Sequence, residues 1–252
     1  MTKPKTANPL LPWLDVVAIA AWGILILKYW LTEKLSLLIH PDYFWLAIVG
    51  SIVLLMIALA KAWQLKQRHP RQDIPSGQHI SVFPPGWGSI LLLTAAILGL
   101  MITPRVFASQ TALNRGVSDL LGGVRAQPQA FRATIRPEER SLIDWVRTLN
   151  VYPEPDAYTG QKVKVQGFVI HPPELGKEHL FLARFVITCC AADAYPIGLP
   201  VKLPGTRDQY PPDTWLEVEG QMTTETHVGK RQLTINATSL KKIPQPKNPY
   251  SY

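Results

Sequence analysis

The stretch that decides the fold of the C-terminal half is Lys162-Val-Lys-Val-Gln-Gly-Phe-Val169. Apolar and polar side chains alternate along it, which is the period of a strand with one buried face. Gly167 interrupts the apolar set, and a glycine inside a strand marks a bend or a close approach to another backbone. The stretch therefore predicts a half-buried β-strand at the start of a folded domain.

Short strands are predicted at intervals after this one. Their ranges are 181–188, 199–203, 215–221 and 232–237. Gly220 lies within 215–221, just as Gly167 lies within 162–169. About five short strands in one small domain predict an OB-like Greek-key barrel, because closing the sheet removes its exposed edges. A small β-sandwich is the alternative.

A helix is predicted before the first strand. It begins near Pro137, a residue suited to the first helical position, and ends near Leu149. Glu138 and Glu139 lie in its first turn, where they complement the helix dipole. We therefore place the folded domain at 136–252 and interpret 108–135, which contains Gly122-Gly123 and little apolar periodicity, as a linker.

Three long apolar runs precede the linker and predict a transmembrane region over 1–107. The spans are expected at about 13–31, 43–60 and 88–106. Each has roughly the 17–25 residues that a hydrocarbon core requires. Tryptophan and tyrosine residues lie close to the span ends, as is typical of the membrane–water interface.

Basic residues in the short loops predict the orientation in the membrane. Lys3 and Lys5 lie before the first span, and the loop 61–87 carries four further basic residues. Because positively charged loops remain in the cytoplasm, we expect the N-terminus there. Three crossings would place the C-terminal domain outside the cytoplasm, in the periplasm or a lumen.

The residues that indicate chemistry lie together after the second predicted strand. Cys189 and Cys190 are the only cysteines, and Asp193 follows them in a short polar segment. If the chain turns here, both thiols and the carboxylate converge, and His171 or His179 could supply a nitrogen ligand. Arg184 is a further ligand-binding candidate, because a basic side chain on an apolar strand can anchor an anion or pair with Asp193.

Three interpretations of the two cysteines remain open. They are small buried side chains, ligands of zinc or another soft metal such as copper(I), or redox-active thiols. The adjacent spacing differs from that of structural zinc sites, whose cysteines are usually separated by two to four residues. A disulfide between neighbours would be strained, because their Cα atoms are closer than a normal bridge requires.

Composition argues against nucleic acid as a partner. The formal net charge of +8 is spread along the chain and forms no basic stripe with interleaved aromatic residues. The sequence also lacks a nucleophile elbow, a phosphate-binding glycine loop and a zinc-protease motif. We therefore expect the lipid bilayer, and no nucleic acid, among the partners.

The order of elements resembles the YcgQ-type family of bacterial membrane proteins. The resemblance is carried by 145–149, 153–160, 165–169 and above all by Arg184-Phe-Val-Ile-Thr-Cys-Cys-Ala-Ala-Asp-Ala-Tyr-Pro-Ile-Gly198. It implies a subunit of a two-component permease that has a multi-spanning partner, a C-terminal domain of unknown function and no catalytic activity. The resemblance gives no ligand for Cys189, Cys190 or Asp193.

Three functions follow as hypotheses. The first is an accessory subunit of a permease, whose outer domain binds a ligand or a metal ion or contacts the permease. The second is a structural or assembly factor of a membrane complex. The third is a membrane-bound enzyme that depends on Cys189 or Cys190.

Overall fold

The computed structural model describes residues 10–67, 86–116 and 136–252. The chain divides into two compact units, Met1–Arg105 and Val106–Tyr252. Among the described residues, the first unit is helical and the second contains all of the strands.

The described residues of the first unit form three apolar α-helices. They are α1 (Leu11–Leu31), α2 (Phe44–Gln67) and α3 (Trp87–Met101). Helices α1 and α2, with 21 and 24 residues, are long and apolar enough to cross a membrane. These two helices support the predicted membrane association of the N-terminal part.

The prediction of three full-length spans is wrong in its count. Helix α3 has 15 residues, so at a rise of 1.5 Å per residue it is about 22 Å long, against a hydrocarbon core of about 30 Å. It ends before the predicted residue 106 because Ile102 adopts extended backbone. Thr103 next precedes Pro104, and the ring of a proline disfavours helix in the residue before it.

The charged residues of α1 have partners on the neighbouring helices. Ser89 donates a hydrogen bond to the carboxylate of Asp15, and Lys61 Nζ lies 3.7 Å from the same carboxylate. Towards the opposite end, Lys28 Nζ donates to the carbonyl oxygen of Leu100 at 2.5 Å. Helix α3 therefore runs parallel to α1, and each charge lies near one end of the helix group.

The described residues of the second unit form two α-helices and six strands. In chain order they are α4 (Ser109–Asn114), α5 (Leu142–Val151), β1 (Lys162–Ile170), β2 (His179–Val186), β3 (Tyr195–Lys202), β4 (Trp215–His227), β5 (Lys230–Lys242) and β6 (Tyr250–Ser251). Each predicted strand overlaps an observed one, and the sequence analysis missed β6. Helix α4 lies in the predicted linker, whose residues 117–135 are outside the described part.

Helix α5 begins later than the sequence pattern suggests. Pro137–Glu139 forms a separate 3-10 turn, and Ser141 is the N-cap of the helix. The Ser141 hydroxyl accepts a hydrogen bond from the backbone of Asp144, whose carboxylate accepts one from the backbone nitrogen of Ser141. This capping box satisfies two backbone donors that a helix N-terminus otherwise leaves without partners. It fixes the start of the helix at Leu142.

The six strands form one mixed sheet. Their order is β1-β4-β5-β3-β2-β6, and β1 also pairs with β2 over three residues. The pairs β3–β5 and β2–β6 are parallel, and the other pairs are antiparallel. Strands β1, β3, β4 and β5 therefore have two neighbours each, and β2 has three.

The core lies between the sheet and α5. Val163 and Val165 of β1 are buried and alternate with exposed lysines, as the sequence pattern predicts. Trp145 of α5 is fully buried in the same cluster, with Leu142 one turn before it. An amphipathic helix thus covers the apolar face of the strands, and this packing sets the positions of the strand ends.

Candidate functional site

The predicted cysteine site is a turn between β2 and β3. Residues Ala191–Asp193 form a 3-10 turn, which brings the Asp193 carboxylate back to the end of β2. The carboxylate accepts hydrogen bonds from the backbone nitrogen of Cys189 at 2.8 Å, from that of Thr188 at 3.3 Å and from the Thr188 hydroxyl. The sequence therefore placed Asp193 correctly beside the cysteines, although its contacts are internal to the turn.

Both cysteines are free thiols. Cys189 is exposed and Cys190 is half-buried, and their sulfur atoms lie 3.7 Å apart. The hydrogen bond to the Asp193 carboxylate, with a second contribution from Cys190, raises the pKa of the Cys189 thiol to about 11. A thiol with this pKa is protonated at neutral pH, and the thiolate is the form that attacks electrophiles and binds metals.

The pKa of Asp193 is shifted in the opposite direction. Partial burial raises this pKa, but the hydrogen bonds from Thr188 and Cys189 outweigh it and lower the pKa to about 2. Hydrogen bonds that favour the ionised carboxylate have this effect. The Asp193 carboxylate is therefore charged at neutral pH and holds the turn together.

The side chain of Arg115, the residue after α4, donates hydrogen bonds to the cysteine turn. Its Nη1 donates to the carbonyl oxygen of Ala194 at 2.5 Å and to that of Ala191 at 3.4 Å. The guanidinium carbon also lies 4.8 Å from the centre of the Phe107 ring. This contact was not predicted from the sequence, because Arg115 falls in the segment interpreted as a linker.

Arg184 and His171 occupy other surroundings. Arg184 Nη2 donates to the carbonyl oxygen of Asn248 at 2.9 Å, and its guanidinium lies 5.6 Å from the Trp215 ring centre. His171 Nε2 lies 2.9 Å from the carbonyl oxygen of Tyr210. Burial lowers the pKa of both side chains. The structure therefore gathers Cys189, Cys190 and Asp193 in one turn, and metal binding there stays a prediction.

A second group of polar side chains lies where β2 begins and β4 ends. His179 Nε2 lies 2.8 Å from Glu225 Oε2, and His227 Nε2 lies 4.0 Å from the same oxygen. Lys202 Nζ contacts the other oxygen, Oε1, at 2.7 Å. Among the described residues, this is the one group of three His, Cys, Asp or Glu residues whose ligand atoms all lie within 4.8 Å of one another.

The strands position this group. His179 on β2 lies directly opposite Lys202 on β3. Glu225 and His227 are two residues apart on β4, so they project from the same face of that strand. The turn Val228-Gly229, in which both residues have positive φ, connects β4 to β5. Strands β2 and β3 therefore contribute His179 and Lys202 to this group, and β4, from a later part of the chain, contributes Glu225 and His227.

The pKa values in this group follow from burial and neighbouring charges. Burial raises the pKa of Glu225, but the contacts with Lys202 and His179 outweigh it and lower the pKa overall. Burial lowers the pKa of His227, and the neighbouring His179 lowers it further. A short spacing signal, Glu225-Thr-His227, was present in the sequence, but it is too common to single out without His179 beside it.

Comparison with known proteins places the second unit in a family. Residues 127–252 match the model of the DUF1980 C-terminal domain. The chain is also similar to UPF0703 protein YcgQ of Bacillus subtilis (strain 168), with 27% identity over 104 residues. That similarity covers 40% of this chain and 36% of the relative, so the chain matches well under two thirds of that protein's length.

Proposed function

The chain belongs to the DUF1980 C-terminal domain family, and from that premise we propose that it is a membrane-anchored accessory subunit of a permease. The resemblance to the YcgQ-type family supplies the permease as partner. In this role the helices of the first unit anchor the protein and contact the permease. The second unit then binds a ligand of the complex or contacts the permease outside the bilayer.

The observation that carries the proposal is the pairing of two helices of membrane-spanning length with a folded domain in one chain. Helix α2 leaves much of its apolar surface exposed within its unit; the exposed residues include Trp45, Leu46, Val49, Ile52, Val53 and Met56. Apolar surface of this extent suits lipid or the span of a partner. Gly50 lies in the same stretch, and no atom lies within 4 Å of the Cβ that a larger residue would add there.

We further propose that the sheet of the second unit is an OB-like barrel. The pairings β1–β4, β4–β5, β5–β3, β3–β2 and β2–β1 form a closed cycle of five strands. Closure protects the strand edges, and small barrels of this kind bind ligands at their surface loops. Because such folds serve many functions, the barrel supports a binding role without naming the ligand.

An extracytoplasmic position of the second unit is also a proposal. It requires that α3 carries the chain across the bilayer, although α3 is shorter than α1 and α2. The contacts Asp15–Ser89 and Lys28–Leu100 support this, because they place α3 alongside most of α1. If α1 crosses the bilayer, the shorter α3 beside it would require thinning of the bilayer to cross as well.

Gentle solubilisation, affinity purification of the tagged full-length chain and mass spectrometry of its partners test the accessory role. We expect a multi-spanning permease in near-equal amount. Gly50→Leu should lower its recovery severalfold if a partner span packs on α2, since small residues allow close helix approach. Gly88→Leu on α3 is the matched control, because it too has no atom within 4 Å of the added Cβ.

Two outcomes of this purification would contradict the proposal. Recovery of the chain alone would remove the support for a permease partner. Recovery with an unrelated membrane assembly would favour the alternative role as a structural or assembly factor. A membrane-bound thiol enzyme is the remaining alternative, and it requires function to be lost when Cys189 and Cys190 are both replaced by alanine.

A further inference from the structure

We infer that His179, Glu225 and His227 form a binding site for a first-row divalent metal ion of the zinc class. The inference goes beyond the accessory role and does not depend on it. Two imidazoles and one carboxylate are the protein ligands of several zinc sites that keep a fourth position open. Imidazole also selects such ions over magnesium and calcium, which prefer oxygen ligands.

The distances between the three side chains suit one ion. Ligand atoms bound to zinc at about 2.0–2.2 Å lie about 3.4 Å apart at the tetrahedral angle. The separations of Glu225 Oε2 from His179 Nε2 and from His227 Nε2 are 2.8 Å and 4.0 Å. Each separation differs from the required value by about 0.6 Å, which small side-chain rotations can supply. No movement of the backbone is needed.

The third pair of ligands is also close. The rings of His179 and His227 lie edge to face, with their centres 5.0 Å apart. The three ligands therefore converge from β2 and from the end of β4 onto a single point. Such convergence from distant parts of the chain is what a metal site requires, because neighbouring residues alone rarely surround an ion.

Space for the remaining ligands lies beside the group. An open cavity of about 500 Å³ is lined by all three residues and by Glu174 and Glu178. One or two water molecules, or an anionic group of a ligand, can complete the coordination from this cavity. Glu174 and Glu178 contribute two negative charges to its wall and Lys177 one positive charge, which leaves an excess of negative charge that favours a cation.

Neighbouring side chains hydrogen-bond to two of the ligands. Thr234 Oγ1 lies 3.0 Å from His227 Nε2, a contact that this nitrogen gives up when it binds the ion, and Lys202 Nζ lies 2.7 Å from Glu225 Oε1. The lysine occupies one carboxylate oxygen and leaves Oε2 facing the imidazoles. Lys202 is at the same time a competitor, since its positive charge lies close to the position of the ion. An ion-pair network without metal is the alternative explanation of the same contacts.

A Zn²⁺ titration of the full-length chain tests the inference. The chain is purified in detergent, stripped of metal with a chelator and titrated in competition with a chromophoric zinc chelator. We expect the wild type to bind Zn²⁺ stoichiometrically. Its Zn²⁺ affinity should fall roughly 100-fold or more in Glu225→Gln and in His179→Gln, since substitutions outside the ligands already cost 10–100-fold in metal affinity. Lys202→Met should strengthen binding, because it removes the competing charge, and a gain in affinity cannot result from misfolding.

Two matched controls separate this site from others. His171→Gln removes another half-buried imidazole and should leave Zn²⁺ affinity unchanged. The double variant Cys189→Ala/Cys190→Ala should bind the same amount of Zn²⁺ as the wild type. With Co²⁺ as probe, the wild type should give the visible spectrum of a four-coordinate ion without thiolate-to-metal charge transfer.

The inference is overturned if the wild type binds no stoichiometric Zn²⁺, or if Glu225→Gln binds as tightly as the wild type. It is also overturned if binding disappears in the cysteine double variant or falls equally in His171→Gln. Because the purified chain is used alone, these results do not bear on the permease partner. A failed co-purification with the permease would likewise leave this site intact.

Discussion

The Asp193 carboxylate lies 2.8 Å from the backbone nitrogen of Cys189, and this contact joins the two ends of the cysteine turn. The same carboxylate is the main cause of the raised pKa of the Cys189 thiol. The turn therefore keeps its exposed thiol protonated. Any chemistry of Cys189 should depend on the charge of Asp193, and the first prediction follows from this dependence.

Asp193→Asn should make Cys189 more reactive. The test uses a Cys190→Ala background, so that a single thiol remains, and measures the rate of alkylation by iodoacetamide at pH 8. We expect the rate to rise severalfold, because a lower pKa gives more thiolate at pH 8 and this gain exceeds the accompanying loss of nucleophilicity. Cys190→Ala alone is the control, and equal rates in the two proteins would contradict the assigned cause.

The stability of the turn should depend on acid pH. The pKa of Asp193 is lowered from 3.8 to about 2 in the folded chain, so its contribution to stability is complete above about pH 4. That contribution is lost as the pH falls through 2. The unfolding temperature of the wild type should therefore exceed that of Asp193→Asn at pH 7, and the difference should shrink between pH 4 and pH 2.

Glu139→Gln controls for the general loss of one negative charge. This residue is exposed and lies in the 3-10 turn before α5. Its unfolding temperature should follow that of the wild type across the same pH range. A constant difference between the wild type and Asp193→Asn down to pH 2 would show that the carboxylate does not stabilise the turn.

Gly198→Ala should destabilise the sheet. A Cβ at this position would lie 2.2 Å from the carbonyl oxygen of Leu182 and 2.6 Å from the Phe181 ring. Forcing an atom into packed backbone costs about 1–3 kcal/mol or more. The free energy of unfolding, measured by denaturant titration of the full chain in detergent, should fall by at least this amount.

Gly205→Ala is the matched control for that substitution. The nearest atom to its added Cβ, Gln209 Nε2, is 3.6 Å away, which is ordinary van der Waals contact. The free energy of unfolding should change by less than about 0.5 kcal/mol, as for most surface substitutions. Equal effects of the two substitutions would contradict the close strand approach at Gly198.

The strands could be predicted best from the sequence where apolar and polar side chains alternate along them. The close approach at Gly167 was expected, and a Cβ there would lie 2.6 Å from the carbonyl oxygen of Ala183. Gly220 behaves in the same way, with 2.2 Å to the carbonyl oxygen of Asn236, and it adjoins a register shift in the β4–β5 pair. The glycine marks the position of each close approach within its own strand, but the partner strand, β2 or β5, cannot be predicted from that pattern.

The group around Glu225 could not be predicted in this way. His179 and Glu225 are 46 residues apart, and they meet only because β2 and β3 lie beside the β4–β5 hairpin. No local pattern encodes such a pairing. The cysteine turn could be predicted because its residues are adjacent in the sequence. The hydrogen bond from Arg115 to this turn could not, because Arg115 follows a helix in the segment that was predicted to be a linker.

Chemical labelling of Cys189 can show on which side of the membrane the second unit lies. The two native cysteines are the only ones in the chain, and Cys189 is exposed. If α3 crosses the bilayer, a membrane-impermeant maleimide added to intact spheroplasts at pH 8.5 should label the chain. Cys189→Ala/Cys190→Ala should remain unlabelled, and permeabilised cells should label fully as the positive control. Labelling of the wild type only after permeabilisation would place the domain in the cytoplasm, since α1 and α2 alone return the chain to the side where it began.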